Sequence, residues 1–409
     1  MKRAALAAAV AIAFADSSIV VLALPELYGR FHTSIIGVSW IITAYNAAVA
    51  VTAFALVLTR RSLLPAGLIA FFGASIGCAV AGSLAFLIAA RTVQGIGAAL
   101  LLAGSLRLLS ARVWTLAGTF GLALGPALGG VLTQAFDWRA IFVVQAPVAL
   151  LGLVGAAQLP LHQEARPTTR ALPANVCLAL LFGALVGALF LAVLLVISVW
   201  NYSPLGGAVI VSALPAAALA VRPLRASVAA GAGLLALGLI GLALLPSASV
   251  WLLVWALALC GAGLGLALPA LSNAALPSGT LTIGARHLGL VVALAAIAPL
   301  LASKVPTAGD RALLKGTTVL LDAPIGLDKK VPVALDLRQA FARAQAGETP
   351  DLAEPFNAHG AEHDSGLAAT RDKLLGTIEA TITRASRSAF FVCAGFAALA
   401  LLLALVVAL

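Results

Sequence analysis

The chain has 409 residues, of which 62% are hydrophobic and 10% are charged, and its mean hydropathy is +1.10. A soluble domain is roughly 45–50% apolar and roughly 25% charged, so lipid must surround most of this chain. The composition excludes a soluble enzyme and a secreted disulfide scaffold, and the net charge of +10 lies in short loops rather than in a patch that would bind nucleic acid.

Twelve apolar runs are long enough to cross a bilayer, whose hydrocarbon core of about 30 Å needs about 20 helical residues. The runs are continuous rather than alternating, so they predict helices and not the strands of a β-barrel. We therefore expect an all-α polytopic membrane protein. The predicted spans are residues 4–24, 36–58, 63–81, 84–106, 113–134, 140–160, 176–199, 206–221, 226–246, 250–271, 283–303 and 387–408.

The short loops at the two ends of these spans differ in their basic residues. Cytoplasmic loops carry more Lys and Arg than external ones, so the bias places both termini in the cytoplasm and residues 304–385 outside. The external short loops carry only Arg30 and Arg139. The basic residues of the predicted cytoplasmic ends are Lys2, Arg3, Arg60, Arg61, Arg107, Arg112, Arg166, Arg170, Arg222, Arg225 and Arg286.

The N-terminus also has features of a signal peptide. Two basic residues precede an apolar run and the small-residue string Ala13-Phe14-Ala15, and cleavage there would reverse every loop. The apolar run continues from Ile19 to Leu24, which gives a full-length span. We therefore expect the first helix to be retained.

Asp16 is the acidic residue that falls inside a predicted span, and no other does. A carboxylate within the bilayer costs about 2.5–3.5 kcal/mol on insertion scales and usually marks the path of a proton or an ion. The alternative is an Asp at a helix end, capped by Ser17 and Ser18. We predict that Asp16 carries protons.

Arg91, in the fourth span, is the matching base. At 1.5 Å per residue, Asp16 lies about 12 Å and Arg91 about 10 Å from the outer ends of their antiparallel helices, so the two charges share a depth. Pairing would offset two desolvation costs, and protonation of Asp16 would loosen the pair. The alternative is that Arg91 extends to water or binds backbone carbonyls.

Small residues recur in the fourth span, at Gln94-Gly95-Ile96-Gly97, and in the fifth span from Gly121 to Gly130. They allow helix backbones to approach closely, and Pro126 adds a kink. Dense packing and a moving helix interface both use such strings.

These motifs together resemble those of the drug:proton antiporters of the major facilitator superfamily. The string from Asp16 to Pro25 (DSSIVVLALP) is similar to the first-helix motif D-x-T-I-V-N-V-A-L-P, and Arg91 to Gly97 matches the motif R-x-x-Q-G-x-G. The string from Gly121 to Gly130 matches the antiporter motif G-x-x-x-G-P-x-x-G-G. Further likeness lies in Trp40 with Tyr45, in residues 137–147 and in the turn Tyr202-Ser-Pro-Leu205.

The resemblance implies two six-helix bundles around a cavity that opens alternately to either side, with proton influx driving export. Residues 1–160 would form the N-terminal bundle, residues 161–303 and 386–409 the C-terminal bundle, and residues 304–385 an extracytoplasmic insertion. A monomer in the bacterial plasma membrane is implied, with Asp16 as the proton-coupling acid and Arg91 as its partner. The cavity residues would be Trp40, Tyr45, Asn46 and Gln94, and the bundle-interface residues Gly121, Gly125, Pro126, Gly129 and Gly130.

The chain departs from that group between the second and third spans. The group's gate motif, G-x-x-x-D-x-x-G-R-R, is reduced here to residues 58–62 (LTRRS), without the Gly and the Asp. The chain also has twelve predicted spans, where that branch has fourteen. We therefore expect either a cytoplasmic latch of different construction or an impaired turnover.

Residues 304–385 hold eleven of the fifteen acidic residues and predict a small, mostly helical domain, with helical patterns at residues 333–346 and 374–382. It could cap the outward cavity, dock a partner or form a loose insertion. Its string His359-Gly-Ala-Glu362-His363 has the H-x-x-E-H form of zinc hydrolases, but Gly360 favours a loop, so we predict no metal site. His287 is interpreted as an interfacial anchor.

Three functional classes follow. The leading hypothesis is a proton-coupled exporter of apolar or cationic amphipathic molecules, with no cofactor. The sequence has no phosphate-binding P-loop, so we do not expect ATP to drive transport. The second is a receptor or scaffold on the same fold that acts through residues 304–385. The third, a membrane enzyme, would need a cluster of catalytic or metal-binding residues, and only the doubtful His359 string offers one.

Overall fold

The structure is a computed structural model that describes residues 2–59, 63–156, 171–221, 224–343 and 352–407. All regular secondary structure in these ranges is helical. Nine helical segments there are long and apolar enough to cross a bilayer, and three shorter apolar segments lie between them. These twelve segments correspond to the twelve predicted spans, so the all-α polytopic fold is confirmed.

The first six spans form the N-terminal bundle. The first span is longer than predicted, because a 3₁₀ turn at Val20–Ala23 leads into a further helix in which Pro25 occupies the first turn, where its missing N–H costs nothing. The helices are α1 (Lys2–Ile19), α2 (Leu24–Arg30), α3 (Ile35–Thr59), α4 (Leu64–Ala79), α5 (Leu84–Ser105), α6 (Ala111–Ala135) and α7 (Arg139–Ala156).

The last six spans form the C-terminal bundle. The seventh span ends in a π-helix at Leu194–Val199, and the eighth is divided at Ser212 into two short helices. The helices are α8 (Ala171–Val193), α9 (Pro204–Val211), α10 (Ala213–Ala220), α11 (Val228–Ala243), α12 (Val250–Ala275), α13 (Thr280–Asp322) and, after the insertion, α17 (Arg387–Val407).

The two bundles meet where α3 packs against α13 and where α6 packs against α9. The glycines of α6 serve mainly the contact with α1, inside the N-terminal bundle. A Cβ on Gly121 would collide with the carbonyl of Ala11, and one on Gly129 with the carbonyl of Ile19. Gly130 faces the other bundle, with its Cβ position 2.8 Å from the Pro204 carbonyl oxygen. The bundle interface that we predicted from these glycines is therefore mostly a contact between α1 and α6.

Pro126 leaves the carbonyl of Leu122, four residues earlier, without its helical N–H donor. The Ser18 hydroxyl lies 3.2 Å from that carbonyl oxygen and 3.0 Å from the carbonyl oxygen of Ala15, so it supplies the missing donor from α1. Ser18 thus joins α1 to the proline of α6 and does not cap Asp16.

The insertion is built from α14 (Leu327–Arg343), α15 (Glu354–Ala358) and α16 (Ser365–Ala385) together with the end of α13. It has its own small core, in which Phe356, Val333 and Leu367 are fully buried. Asp364 begins α16 by accepting hydrogen bonds from the backbone N–H groups of Gly366 and Leu367. The ion pair with Lys329 and these N–H groups lower the pKa of the Asp364 carboxyl.

The predicted boundary at residue 304 does not coincide with the end of a helix. α13 continues without interruption from Thr280 to Asp322, a length of about 65 Å, so roughly half of it lies beyond the bilayer. The boundary at residue 385 falls at the turn between α16 and α17. The helix predicted at 333–346 begins earlier, at Leu327, and residues 344–346 lie outside the described ranges.

The close approach of α1 and α6 makes Gly121 intolerant of a side chain. We expect Gly121→Ala to lower the melting temperature of the detergent-solubilised protein by several degrees, because overpacking costs about 1–3 kcal/mol. Gly395→Ala, on the exposed side of α17 with open space around its Cβ position, should leave the melting temperature unchanged. Equal melting temperatures for the two variants would contradict this packing.

Candidate functional site

Asp16 and Arg91 are in direct contact in the centre of the N-terminal bundle. The Nη1 atom of Arg91 lies 2.8 Å from Oδ1 and 2.6 Å from Oδ2 of Asp16, and neither side chain is exposed. The nearly equal depths inferred from the two helices are consistent with this contact. Desolvation of both charges is offset only because each also has further hydrogen-bond partners.

Gln145 of α7 completes the carboxylate's environment. Its Nε2 atom donates to Asp16 Oδ1 at 2.9 Å, and its Oε1 atom accepts from Gln94 Nε2 at 2.7 Å. Gln145 was not predicted as a site residue from the sequence. The available signal was its position as an amide within an apolar span, where an unpartnered polar group is costly.

Gln94 links the pair to a third helix. It accepts from Arg91 Nη1 at 2.7 Å through Oε1 and donates to the Ser75 hydroxyl at 2.9 Å through Nε2. Its role in the structure is therefore to support Arg91 from the adjacent turn of α5. Because Gln94 is fully buried in this network, it does not face a cavity.

The guanidinium of Arg91 is held by α3 as well. Its Nε atom donates to the Ile41 carbonyl at 2.9 Å, and its Cζ atom lies 4.3 Å from the centre of the Tyr45 ring. The Tyr45 hydroxyl donates to the carbonyl of Ala13 at 2.8 Å. These contacts leave Arg91 Nη2 without a partner among the described residues.

A cavity of about 1500 Å³ lies between the two bundles. Its wall is mostly apolar, with Leu106 and Pro126 on one side and Leu185 and Leu189 on the other. It opens beside Arg107, Arg112 and Thr280, at the end of the molecule that the charge bias predicts as cytoplasmic. Arg60, Arg61, Arg166, Arg170 and Arg222, which contribute to that bias, lie outside the described residues.

The four residues that we predicted for this cavity do not line it. Trp40 is 49% exposed on α3, whereas Tyr45, Asn46 and Gln94 are fully buried inside the N-terminal bundle. The Asn46 side chain accepts from the Ser17 hydroxyl at 3.1 Å and donates to the Ile42 carbonyl at 2.9 Å. The prediction was wrong because an apolar helix in lipid has no hydrophobic side that identifies its inward face.

One other prediction also needs correction. His287 is 1% exposed and bonds the Ile283 carbonyl through Nδ1 at 2.8 Å, so it is an interior residue and not an interfacial anchor. Its neighbour Arg286 is partly buried, near the start of α13, and contacts the rings of Phe14 and Phe182. In the insertion, His359 lies in a turn and pairs with Asp336 at 2.8 Å.

A sequence profile described as Major Facilitator Superfamily matches residues 6–303 of the chain. Two relatives illustrate the likeness to characterised proteins. The chain is 35% identical over 176 residues to the drug efflux pump JefA of Mycobacterium tuberculosis. This match covers 38% of this chain and 34% of that protein. It is 29% identical over 242 residues to the methylenomycin A resistance protein of Streptomyces coelicolor, with 55% and 50% covered. The matches therefore span about a third to a half of these relatives.

The architecture is similar to that of solved structures over almost its full length. A bacterial homologue of the human lysosomal transporter Spinster, in an inward-facing and unoccupied conformation, superposes with a TM-score of 0.62. The match covers 98% of this chain and 96% of the other, at 15% sequence identity. This likeness concerns the fold.

The buried pair predicts strongly coupled effects on stability. Asp16→Leu and Arg91→Leu should each lower the free energy of unfolding by about 3–5 kcal/mol, because each leaves one unpaired charge in the bilayer. The double variant should lose clearly less than the sum of the two. Thermal or denaturant unfolding in detergent measures the cycle, with the exposed Arg225→Leu as a matched control. Additive losses would contradict a direct pair.

Proposed function

The chain belongs to the major facilitator superfamily, and we propose that it is a proton-coupled transporter that exports amphipathic or lipophilic small molecules by alternating access. The observation that carries the proposal is the Asp16–Arg91 pair, fully buried inside the N-terminal bundle of a chain that also encloses a large cavity between its two helix bundles. The substrates named for the efflux and resistance relatives support small organic molecules as cargo.

The cavity has the properties that such cargo requires. Its volume of about 1500 Å³ exceeds that of a drug-sized site, and its mostly apolar wall would bind molecules through burial of apolar area rather than through specific hydrogen bonds. Residues of both bundles contribute to this wall. A relative tilt of the bundles would therefore close one end of the cavity and open the other.

Proton coupling is proposed to act through the carboxylate of Asp16. Protonation would remove one charge of the pair and weaken its contact with Arg91 and Gln145, which tie together α1, α5 and α7. α1 also packs against α6, whose Pro126 lines the cavity. A change in protonation can thereby bias the helices that bound the substrate.

The proposal places the protein in the bacterial plasma membrane, with the open cavity end and both termini in the cytoplasm and the insertion outside. The course of α13 supports the placement of the cavity opening and the insertion on opposite sides of the membrane, since this helix begins at the former and ends in the latter.

Export by antiport is tested in proteoliposomes loaded with a panel of lipophilic dyes and drugs, with an acidic external buffer. We expect the wild type to release at least one compound faster when the gradient is imposed, and Asp16→Asn to lose this acceleration. Asp372→Asn, an exposed acid of the insertion, is the matched control and should behave as the wild type. The same acceleration in Asp16→Asn would overturn the coupling role.

The proposed orientation is tested by cysteine labelling with a membrane-impermeant maleimide. All four native cysteines are buried, so we expect them to react little and to give a low background for the labelling of single new cysteines. Leu335→Cys, exposed on α14, should react in intact cells, whereas Ser110→Cys at the cavity opening should react only in inverted vesicles. The reverse pattern would place the insertion in the cytoplasm.

A further inference from the structure

Arg286 of α13 has an unusual position for a charged side chain in a membrane protein. Its guanidinium carbon lies 4.1 Å from the ring centre of Phe14 and 4.0 Å from that of Phe182, so the cation contacts two aromatic rings. Phe14 belongs to α1 and Phe182 to α8. The cation is thus held between the two bundles.

No acidic residue neutralises Arg286 among the described residues. Of the four acidic residues outside the insertion, Asp16 is engaged by Arg91, and Glu26 and Asp137 lie at the opposite end of the bundle. Glu164 lies outside the described residues. Cation–π contacts stabilise a guanidinium, but they leave its N–H groups without acceptors.

The N–H groups of Arg286 have access to the cavity. Arg286 lines a recess of about 60 Å³ that has some of its wall residues, including Thr115, Thr119 and Ser272, in common with the large cavity. This volume is large enough for a few water molecules or for one carboxylate group. The recess therefore connects an unpaired cation to the space in which cargo is proposed to bind.

The large cavity carries the same sign of charge. Among the described residues that line it, Arg112 is basic, and none is acidic. A positive wall of low dielectric constant concentrates anions and repels cations. The Asp16 carboxylate, which could attract a cationic cargo, is fully buried and is not among the residues that line the cavity.

We propose that Arg286, which contacts Phe14 and Phe182, binds the anionic group of the cargo, so that the protein selects amphipathic carboxylates or similar planar anions. The proposal rests on the proposed function, since it assigns the substrate class to the same cavity. Arginine binds a carboxylate through two parallel N–H···O bonds in the plane of the guanidinium. Both rings line the same recess as Arg286, so the guanidinium meets the recess beside two apolar surfaces.

The test compares two probes that differ only in charge, 1-naphthylacetate and 1-naphthylacetamide. Equilibrium binding of each is measured on the full-length, detergent-solubilised protein with no proton gradient. We expect the wild type to bind the carboxylate at least about tenfold more tightly than the amide, as charge-assisted hydrogen bonds predict. In Arg286→Gln the ratio should fall to about one while the amide affinity stays unchanged.

Two further variants make the result specific. Arg286→Lys retains the charge without the planar fork and should give a ratio between those of the wild type and Arg286→Gln. Arg225→Gln, an exposed arginine in a turn away from the cavity wall, should keep the wild-type ratio. If Arg286→Gln binds neither probe, the decision rests on Arg286→Lys. A ratio of carboxylate to amide affinity equal to that of the wild type then overturns the proposal, and a reduced ratio supports it.

Other outcomes distinguish this proposal from that of export. Equal affinity of the wild type for both probes, absence of binding at millimolar concentration, or an unchanged ratio in Arg286→Gln overturns the anion site. Efflux of neutral compounds would then still support export. Conversely, a carboxylate preference that depends on Arg286, without any gradient-driven efflux, supports the anion site and overturns export.

Discussion

The placement of one ion pair in lipid constrains much of the N-terminal bundle. A buried charge must find partners within the protein, and Asp16 and Arg91 find theirs on α1, α3, α5 and α7. Each partner must come from a fixed depth, so the relative heights of these helices are set by the network. The glycines of α6 and the hydroxyl of Ser18 then allow the next helix to approach the same centre.

The two bundles differ in how they use polar groups. The N-terminal bundle contains the connected network of Asp16, Arg91, Gln94 and Gln145, all fully buried. The C-terminal bundle holds Arg286. Its guanidinium contacts two aromatic rings, and no carboxylate among the described residues pairs with it. Phe14 lies between the two regions, two residues before Asp16 and in contact with Arg286. A change of charge at Asp16 or at Arg286 would therefore alter the interactions of the same turn of α1.

The sequence was sufficient for the spans and the charged pair, and insufficient for the cavity. Composition and run length predict the helices because lipid demands about 20 apolar residues. Asp16 and Arg91 were identified because a charge in lipid is rare and costly. Trp40 and Asn46 were misplaced since apolar helices carry no periodic signal for their inward face, and Gln145 was missed because an uncharged amide is less conspicuous. Arg286 was assigned to the cytoplasmic end of a span because it lies near the start of that span, where basic residues commonly face the cytoplasm. Its contacts with Phe14 and Phe182 could not be predicted from the sequence.

The uninterrupted course of α13 has a mechanical consequence. α13 has 43 residues, about 65 Å, and it continues through Pro299 and Pro306, each of which removes one helical hydrogen bond. To the extent that it moves as one body, a tilt of about 5° at its membrane half displaces the opposite end by several ångströms. The insertion is attached to that end and must follow. By thermodynamic reciprocity, an antibody or other ligand that holds the insertion in one orientation would also favour one orientation of Arg286 inside the membrane. A ligand that binds the insertion outside the bilayer could thereby shift the equilibrium between orientations of α13 within it.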